Sequence, residues 1–157
     1  MDSNLQPLFT KYAERLIAYI KEVYVANNII ATGDYGNSLV PELSETGFMI
    51  KQAIYGKVID GGRSAGKRPS IPSIMRWLEN KKGLPPSMLR DKRRTAFAIA
   101  NKIAKEGIKV PNQYNPGNLI TNVVNNFLAK DMYDLIGELE SYYKGKMKSR
   151  MKRAIAP

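Results

Sequence analysis

The chain of 157 residues contains no cysteine and no histidine. Without cysteine it forms no disulfide and offers no thiolate for nucleophilic or redox chemistry. Without histidine it lacks the commonest general base and the commonest zinc ligand. A zinc site would have to be built from carboxylates alone, so we expect neither a metal nor a cofactor. These absences favour a binding or structural role, and we predict that the protein is not an enzyme.

Long apolar runs are also missing. Hydrophobic residues make up 43% of the chain, yet no stretch approaches the roughly 20 apolar residues that cross a bilayer as a helix. The first residues, Met1 to Asn4, lack the basic-then-apolar pattern of a secretory signal. We therefore expect a single folded domain with a sizeable core and no membrane contact.

The net charge of +11 is unevenly distributed along the chain. Residues 61–109 hold thirteen basic and three acidic side chains, and residues 141–157 hold six basic and no acidic ones. Residues 1–60 and 110–140 carry small net negative charges of −2 and −3. Two basic blocks on a weakly acidic frame indicate an electrostatic partner, either nucleic acid or an acidic protein surface.

Hydrophobic periodicity predicts a mainly helical chain with one small sheet. A first helix runs from Leu5 to about Asn27, with apolar residues at spacings of three and four. A strand from Leu39 to Leu43, a turn at Ser44–Gly47 and a return strand from Phe48 to Ile59 follow. Four further helices are predicted: one capped by Ser70 or Ser73 that carries Trp77, one capped by Asp91 that ends at Glu106, one capped by Asn118 that ends near Lys130, and one from Asp131 to about Tyr143.

These elements predict an α+β fold. A small antiparallel sheet packs against the N-terminal helix and two central helices, and a C-terminal helical extension follows. Residues 1–143 form one domain, and residues 144–157 form a basic tail, which is either a frayed end or an arm that binds DNA or an acidic neighbour. In the second central helix one apolar stripe is predicted to face the core: Ala96, Phe97, Ala100, Ile103 and Ala104.

The segment Gly61 to Ser70 has three glycines in its first six residues. Its spacing does not match a Walker A motif, because Gly66-Lys67 is followed by Arg68 rather than by serine or threonine. We therefore expect no nucleotide site. The segment is either a solvated basic loop shaped by its glycines or a loop that contacts a partner.

A second basic cluster, Arg90 to Arg94, is interrupted only by Asp91. A cationic first turn opposes the helix dipole, so either an anionic partner or solvation of the loop must offset its cost. The carboxylates that a hydrolase or nuclease would need are scattered, and they form no recognisable metal-binding set: Asp60, Glu79, Asp91, Glu106 and Asp131.

The order of motifs in the middle of the chain resembles a known family. The motifs are Tyr55-Gly56, Val58-Ile59-Asp60-Gly61-Gly62-Arg63, Gly66-Lys67-Arg68-Pro69, Ile74-Met75-Arg76-Trp77-Leu78, Lys82-Gly83, Thr95-Ala96-Phe97-Ala98-Ile99-Ala100 and Gly107-Ile108. In this order they resemble the neck or tail-completion proteins of tailed bacteriophages, which join the DNA-filled head to the tail. Upstream, Thr32-Gly33 and Ser38-Leu39 are similar to an early turn of the same family.

The resemblance implies a structural virion protein made in the host bacterial cytoplasm. It would form a homo-oligomeric ring with six- or twelve-fold symmetry at the head–tail junction, where it connects portal or connector proteins to the tail and lines the DNA exit path. Non-specific contact with packaged DNA is a further expectation. The residues expected to contact subunits or partners are Gly61, Gly62, Arg63, Gly66, Lys67, Arg68, Arg93, Arg94, Lys148 and Arg150.

A basic nucleic-acid-binding module is the alternative hypothesis. The run from Arg93 to Gly107 loosely resembles a recognition helix, but no partner helix is predicted at helix-turn-helix spacing. Aromatic residues that could stack on bases are also scarce in the basic blocks, apart from Trp77 and Phe97, which suit the core.

Overall fold

The computed structural model describes residues 5–29 and 33–155. Thr32 of the predicted early turn and the last two residues of the predicted tail lie outside the described residues. Within those ranges the chain forms eight helices and two strands: α1 (Gln6–Ala26), α2 (Asp34–Asn37), β1 (Val40–Leu43), β2 (Phe48–Lys51), α3 (Gly56–Gly61), α4 (Ile71–Asn80), α5 (Pro86–Arg90), α6 (Lys92–Glu106), α7 (Leu119–Ala129) and α8 (Asp131–Ile155).

The predicted α+β class is confirmed. The sheet is one antiparallel hairpin in which Val40 faces Lys51 and Leu43 faces Phe48. The predicted turn closes it, because the amide of Ser44 donates to the carbonyl of Gly47 at 2.9 Å. No helix among the described residues combines the length and the apolar character needed to cross a membrane.

The predicted return strand is wrong beyond Lys51. Strand β2 has only four residues, and the chain turns and forms helix α3 from Gly56. The hydroxyl of Ser38 accepts the amide hydrogen of Ala53 at 3.1 Å, which draws the chain away from the hairpin. The short helix then turns Ile59 towards the core, where that side chain packs half-buried. The imperfect alternation of this segment already argued against a long strand.

The first core lies between α1, the hairpin, α7 and the first half of α8. The predicted apolar face of α1 is confirmed, since Phe9, Tyr12 and Ile20 are each at most 3% exposed. The ring of Phe127 from α7 contacts Tyr12 edge-on, with ring centres 6.4 Å apart. Because these side chains come from elements far apart in sequence, the core fixes the N-terminal helix to the C-terminal part of the chain.

Polar contacts fasten α8 to α1 at the rim of this core. The guanidinium of Arg15 donates to Asp131 at 2.9 Å, and that carboxylate is almost fully buried. Glu138 accepts from Lys11 at 2.7 Å and from the hydroxyl of Tyr12 at 2.8 Å. Burial raises the pKa of Tyr12 to about 12, with the Glu138 contact acting in the same direction. The hydrogen bond from Lys11 is the main reason that the pKa of Glu138 lies below its usual value.

The second core is smaller and lies between α4 and α6, with α5 alongside. Ala96 and Ala100 are fully buried against Ile74 and Leu78, so the two helices approach closely, as the small residues predicted. Both predicted caps are confirmed. The hydroxyl of Ser70 accepts the amide of Ser73, and the carboxylate of Asp91 accepts the amide of Arg94 at 2.9 Å.

Trp77 packs half-buried against the second core, in line with the sequence prediction. Phe97, by contrast, does not pack in the core. The residue is 39% exposed, so its predicted place in the core stripe is wrong. Ala96 and Ala100 are one turn apart and fill the space against α4, which leaves the adjacent position at Phe97 on the outer side of α6.

A junction between residues 60–66 and residues 104–121 connects the two cores. Arg63 and Ile108 exchange two backbone hydrogen bonds of 2.9 and 2.8 Å, as in a single rung of antiparallel sheet. The carboxylate of Asp60 accepts the amide of Ile120 at 2.7 Å and the hydroxyl of Thr121 at 2.7 Å. Asp60 therefore caps α7 although it lies sixty residues earlier in the chain than Ile120.

The predicted cap of α7 was Asn118, and that prediction is wrong. Asn118 adopts a left-handed conformation with φ of 52°, and its side chain makes no capping hydrogen bond. Its backbone amide instead donates to the carbonyl of Asp60 at 2.8 Å. Asp60 satisfies the free amides at the helix start, so Asn118 serves as the turn residue that leads into α7.

The junction requires glycine at two positions. Gly62 and Gly107 have φ values of 78° and 75°, in a region that other residues rarely adopt. A methyl group at Gly62 would collide with the carbonyl oxygen of Ile108, and one at Gly107 would collide with that of Arg63. The two glycines therefore let the two backbones pair at Arg63 and Ile108.

We expect Gly62→Ala and Gly107→Ala each to lower the free energy of unfolding by about 1–3 kcal/mol, because both strain the backbone and separate the paired segments. Urea unfolding measures the effect. Gly145→Ala is the matched control: it lies inside α8 with open space around it, so it should be neutral or stabilise by up to about 1 kcal/mol. Equal midpoints for Gly62→Ala, Gly107→Ala and the unmodified protein would refute the role of the junction.

Candidate functional site

The glycine-rich segment from Gly61 to Ser70 lies along one side of α6. The amide of Gly66 donates to the carbonyl of Ala104 at 2.8 Å, and Arg68 donates to the side chain of Asn101 at 3.0 Å. The guanidinium of Arg68 also lies over the ring of Phe97, 5.8 Å from its centre. Phe97, Asn101 and Ala104 follow helical spacing, so the loop covers one continuous face of the helix.

Arg63 has a role inside the loop. Its guanidinium donates to the carbonyl of Lys67 at 2.7 Å, and this contact closes a turn of the loop backbone. The guanidinium of Arg63 is held against the loop backbone by this hydrogen bond. The exposed basic side chains of the loop are therefore those of Lys67 and Arg68.

Arg93 and Arg94 lie in the first turn of α6 and are exposed. Arg93 precedes Phe97 by four residues, so it lies on the face of α6 that the loop covers. Neither arginine forms an ion pair with a carboxylate of the residues that the structure describes. We refer to Lys67, Arg68, Arg93, Phe97 and Asn101 together as the loop surface.

The predicted contact glycines differ in their surroundings. Gly61 is the last residue of α3, and Gly66 has open space around its α-carbon. Gly62 packs directly against the backbone of Ile108 and is part of the junction. Of the three, Gly61 and Gly66 are exposed, whereas Gly62 shapes the chain.

Lys148 and Arg150 are exposed on the second half of α8. The predicted helix end near Tyr143 is wrong, because α8 continues without a break to Ile155. The interpretation of residues 144–155 as a frayed end is therefore also wrong. Helix α8 packs on the first core, whereas the loop surface belongs to the second core. The two basic blocks of the sequence therefore occupy different parts of the fold.

Most of the scattered carboxylates have structural partners. Asp60 and Asp91 cap helices, Glu79 lies 3.6 Å from Lys92, and Asp131 binds Arg15. Among the described residues, no group of three or more acidic side chains is arranged to hold a metal ion. The arrangement therefore offers an exposed basic surface and no assembled set of metal ligands within those residues.

Sequence reasoning missed two members of the loop surface, Phe97 and Asn101. A signal for both was present, because Arg93, Phe97 and Asn101 repeat at intervals of four and so share a helix face. Ala96 and Ala100 lie on a neighbouring face and are better suited to close packing. What the sequence could not show is that a loop thirty residues upstream lies on that face.

Comparisons with protein-family models, with curated proteins and with solved structures returned no match to this chain.

The position of the loop should depend on the Arg68 side chain. Arg68→Ala removes both the hydrogen bond to Asn101 and the contact with Phe97, which together stabilise an exposed site by about 0.5–2 kcal/mol. We expect faster hydrogen exchange at the amide of Gly66, whose bond to Ala104 holds the loop on α6. Lys67→Ala removes the same charge from an exposed neighbour and should leave that exchange rate unchanged. Equal rates in both variants would contradict the arrangement.

Proposed function

We propose that the protein is a structural component of a tailed-bacteriophage virion that assembles into a homo-oligomeric ring at the head–tail junction. In this role it connects portal or connector proteins to the tail and lines the DNA exit path, without catalysing a reaction. Identical copies would meet through heterologous contacts that close under cyclic symmetry, with six- or twelve-fold rings expected from the family resemblance.

The observation that carries the proposal is the construction of the loop surface. Two of the motifs whose order resembles the neck family are Gly66–Pro69 and Thr95–Ala100. Although they are far apart in the sequence, they pack on each other where Arg68 lies over the ring of Phe97. This part of the resemblance maps onto an exposed surface and supports the proposal, whereas other residues of the motifs, such as Ile74 and Leu78, are buried in the second core.

The charges of this surface support contact with an acidic partner. Lys67, Arg68, Arg93 and Arg94 are exposed and have no carboxylate partner within the described residues. Residues 1–60 carry a net negative charge, so a neighbouring copy can supply part of the complement. Electrostatic complementarity of this kind favours one orientation of the contact over others.

Ring formation tests the proposal. We expect closed rings in electron micrographs of the purified protein, alone or mixed with connector and tail proteins. Arg68→Glu combined with Arg93→Glu should raise the concentration needed for rings at least about tenfold, because it places like charges against the acidic partner. Lys102→Glu combined with Lys57→Glu is the matched control, since it reverses the same number of charges at exposed positions outside the loop surface. Absence of rings under all these conditions would refute the proposal.

The alternative is a nucleic-acid-binding module, which the unpaired arginines of the loop surface favour. It predicts duplex binding with a steep salt dependence and a preference for particular sequences. Loss of such binding in the double arginine variant, with no rings from the unmodified protein, would select this alternative. Weak binding without sequence preference is compatible with either function.

A further inference from the structure

Helix α8 has two apolar faces, and only one of them is covered within the described residues. The covered face packs on the first core through Met132, Leu135, Leu139 and Tyr142. The other face, which we call the outer stripe, is exposed over the length of the helix. Its members and their exposed fractions are Tyr133 (72%), Ile136 (46%), Tyr143 (50%), Met147 (63%), Met151 (60%) and Ile155 (76%).

The spacing of the outer stripe is typical of helix–helix packing. Its members follow one another at intervals of three, four or seven residues, so they form a continuous seam on a straight helix. From Tyr133 to Ile155 the seam is about 33 Å long at 1.5 Å per residue. Scattered exposed apolar residues need no explanation, but a seam of this length indicates a partner helix.

The two halves of α8 carry opposite charges. Residues 131–140 contain four acidic and no basic side chains, and residues 144–153 contain six basic and no acidic ones. In the first half Asp131 and Glu138 are engaged by α1, whereas Asp134 and Glu140 are exposed, and Glu140 also pairs with Lys144 of the same helix at 3.2 Å. In the second half, Lys148, Arg150, Lys152 and Arg153 form no ion pair with the carboxylates that the structure describes.

This charge pattern selects the partner and its direction. A basic helix beside the second half would be repelled, and a parallel copy of α8 would oppose six cations to six cations. An antiparallel copy instead places its acidic half beside the basic half, and does so twice because the contact is two-fold symmetric. We propose that the outer stripe binds α8 of a second copy of this chain in an antiparallel pair.

The two seams fit in one register. If Ile136 lies opposite Met151 of the other copy, Glu140 lies beside Met147, and Asp134 comes within a helical turn of Lys152. Ile136 and Met151 then form an apolar contact at both ends of the pair, and between them Glu140 lies within one helical turn of Lys144 and Lys148 of the other copy. The pair lies on the first core, away from the loop surface, so it stands independently of the ring proposal.

Cysteine crosslinking tests the register. The chain has no cysteine, so Ile136→Cys combined with Met151→Cys introduces the only thiols. A disulfide requires β-carbons about 4 Å apart, so only directly opposed positions of the pair can form it readily. Mild oxidation should convert most of this variant into a covalent dimer at low concentration. Ile54→Cys combined with Tyr114→Cys, at exposed positions outside the stripe, should remain monomeric. Equal dimer yields from the two variants would overturn the proposal.

Charge exchange tests the direction. In sedimentation experiments, Lys148→Glu with Lys152→Glu should raise the dimer dissociation constant at least about tenfold. Adding Asp134→Lys and Glu140→Lys to that variant should restore dimerisation, because the substituted cations at 134 and 140 then lie near the substituted anions at 152 and 148 of the other copy. Helical content by circular dichroism confirms that each variant is folded. The antiparallel pair would be refuted if the unmodified protein stays monomeric at about 100 µM. It would also be refuted if the variant with all four substitutions forms no more dimer than the variant with two.

Discussion

The carboxylate of Asp60 holds the start of α7 from sixty residues away in the chain. Three residues later, Arg63 pairs its backbone with Ile108. These contacts lie side by side and connect the two cores, one built around α1 and α7 and the other around α4 and α6. Neither core is large, so the polar junction between them determines whether they behave as one folded unit.

The position of the loop surface depends on the same junction. Once Arg63 is paired with Ile108, the chain must continue along α6, and Gly66 and Arg68 meet that helix within the next five residues. The basic loop is therefore tied to a helix at several points. A surface held in this way suits a protein that acts by presenting a fixed shape to its neighbours, because little ordering is needed when a partner binds.

Local signals made much of the fold predictable. The apolar stripe of α1 and the caps at Ser70 and Asp91 each depend on residues within one or two helical turns, and the structure has them as predicted. The cap of α7 was mispredicted because Asp60, which supplies it, is distant in sequence. Gly145 and the many basic residues after Tyr143 concealed the continuation of α8, since this composition resembles that of a disordered tail.

The candidate site was predictable in its charge and not in its geometry. The sequence identified the loop and the Arg93–Arg94 cluster as basic, but their placement on one side of α6 required the contact between Arg68 and Phe97. Phe97 was assigned to the core because it falls at helical spacing with Ala96, Ala100 and Ala104 in one apolar stripe. In the structure an arginine covers its ring, and a sequence alone gives no sign of such a non-local contact.

Urea unfolding of the unmodified protein, followed by two probes, tests most directly whether the junction unites the two cores. Trp77 is the only tryptophan and lies in the second core, so its fluorescence reports on that core alone. Far-UV circular dichroism reports on all the helices, and more than half of the helical residues belong to α1, α7 and α8 of the first core. If Asp60 and the Arg63–Ile108 pair join the cores, both probes will give one coincident transition. A tryptophan transition that is complete before the helices unfold would contradict the account.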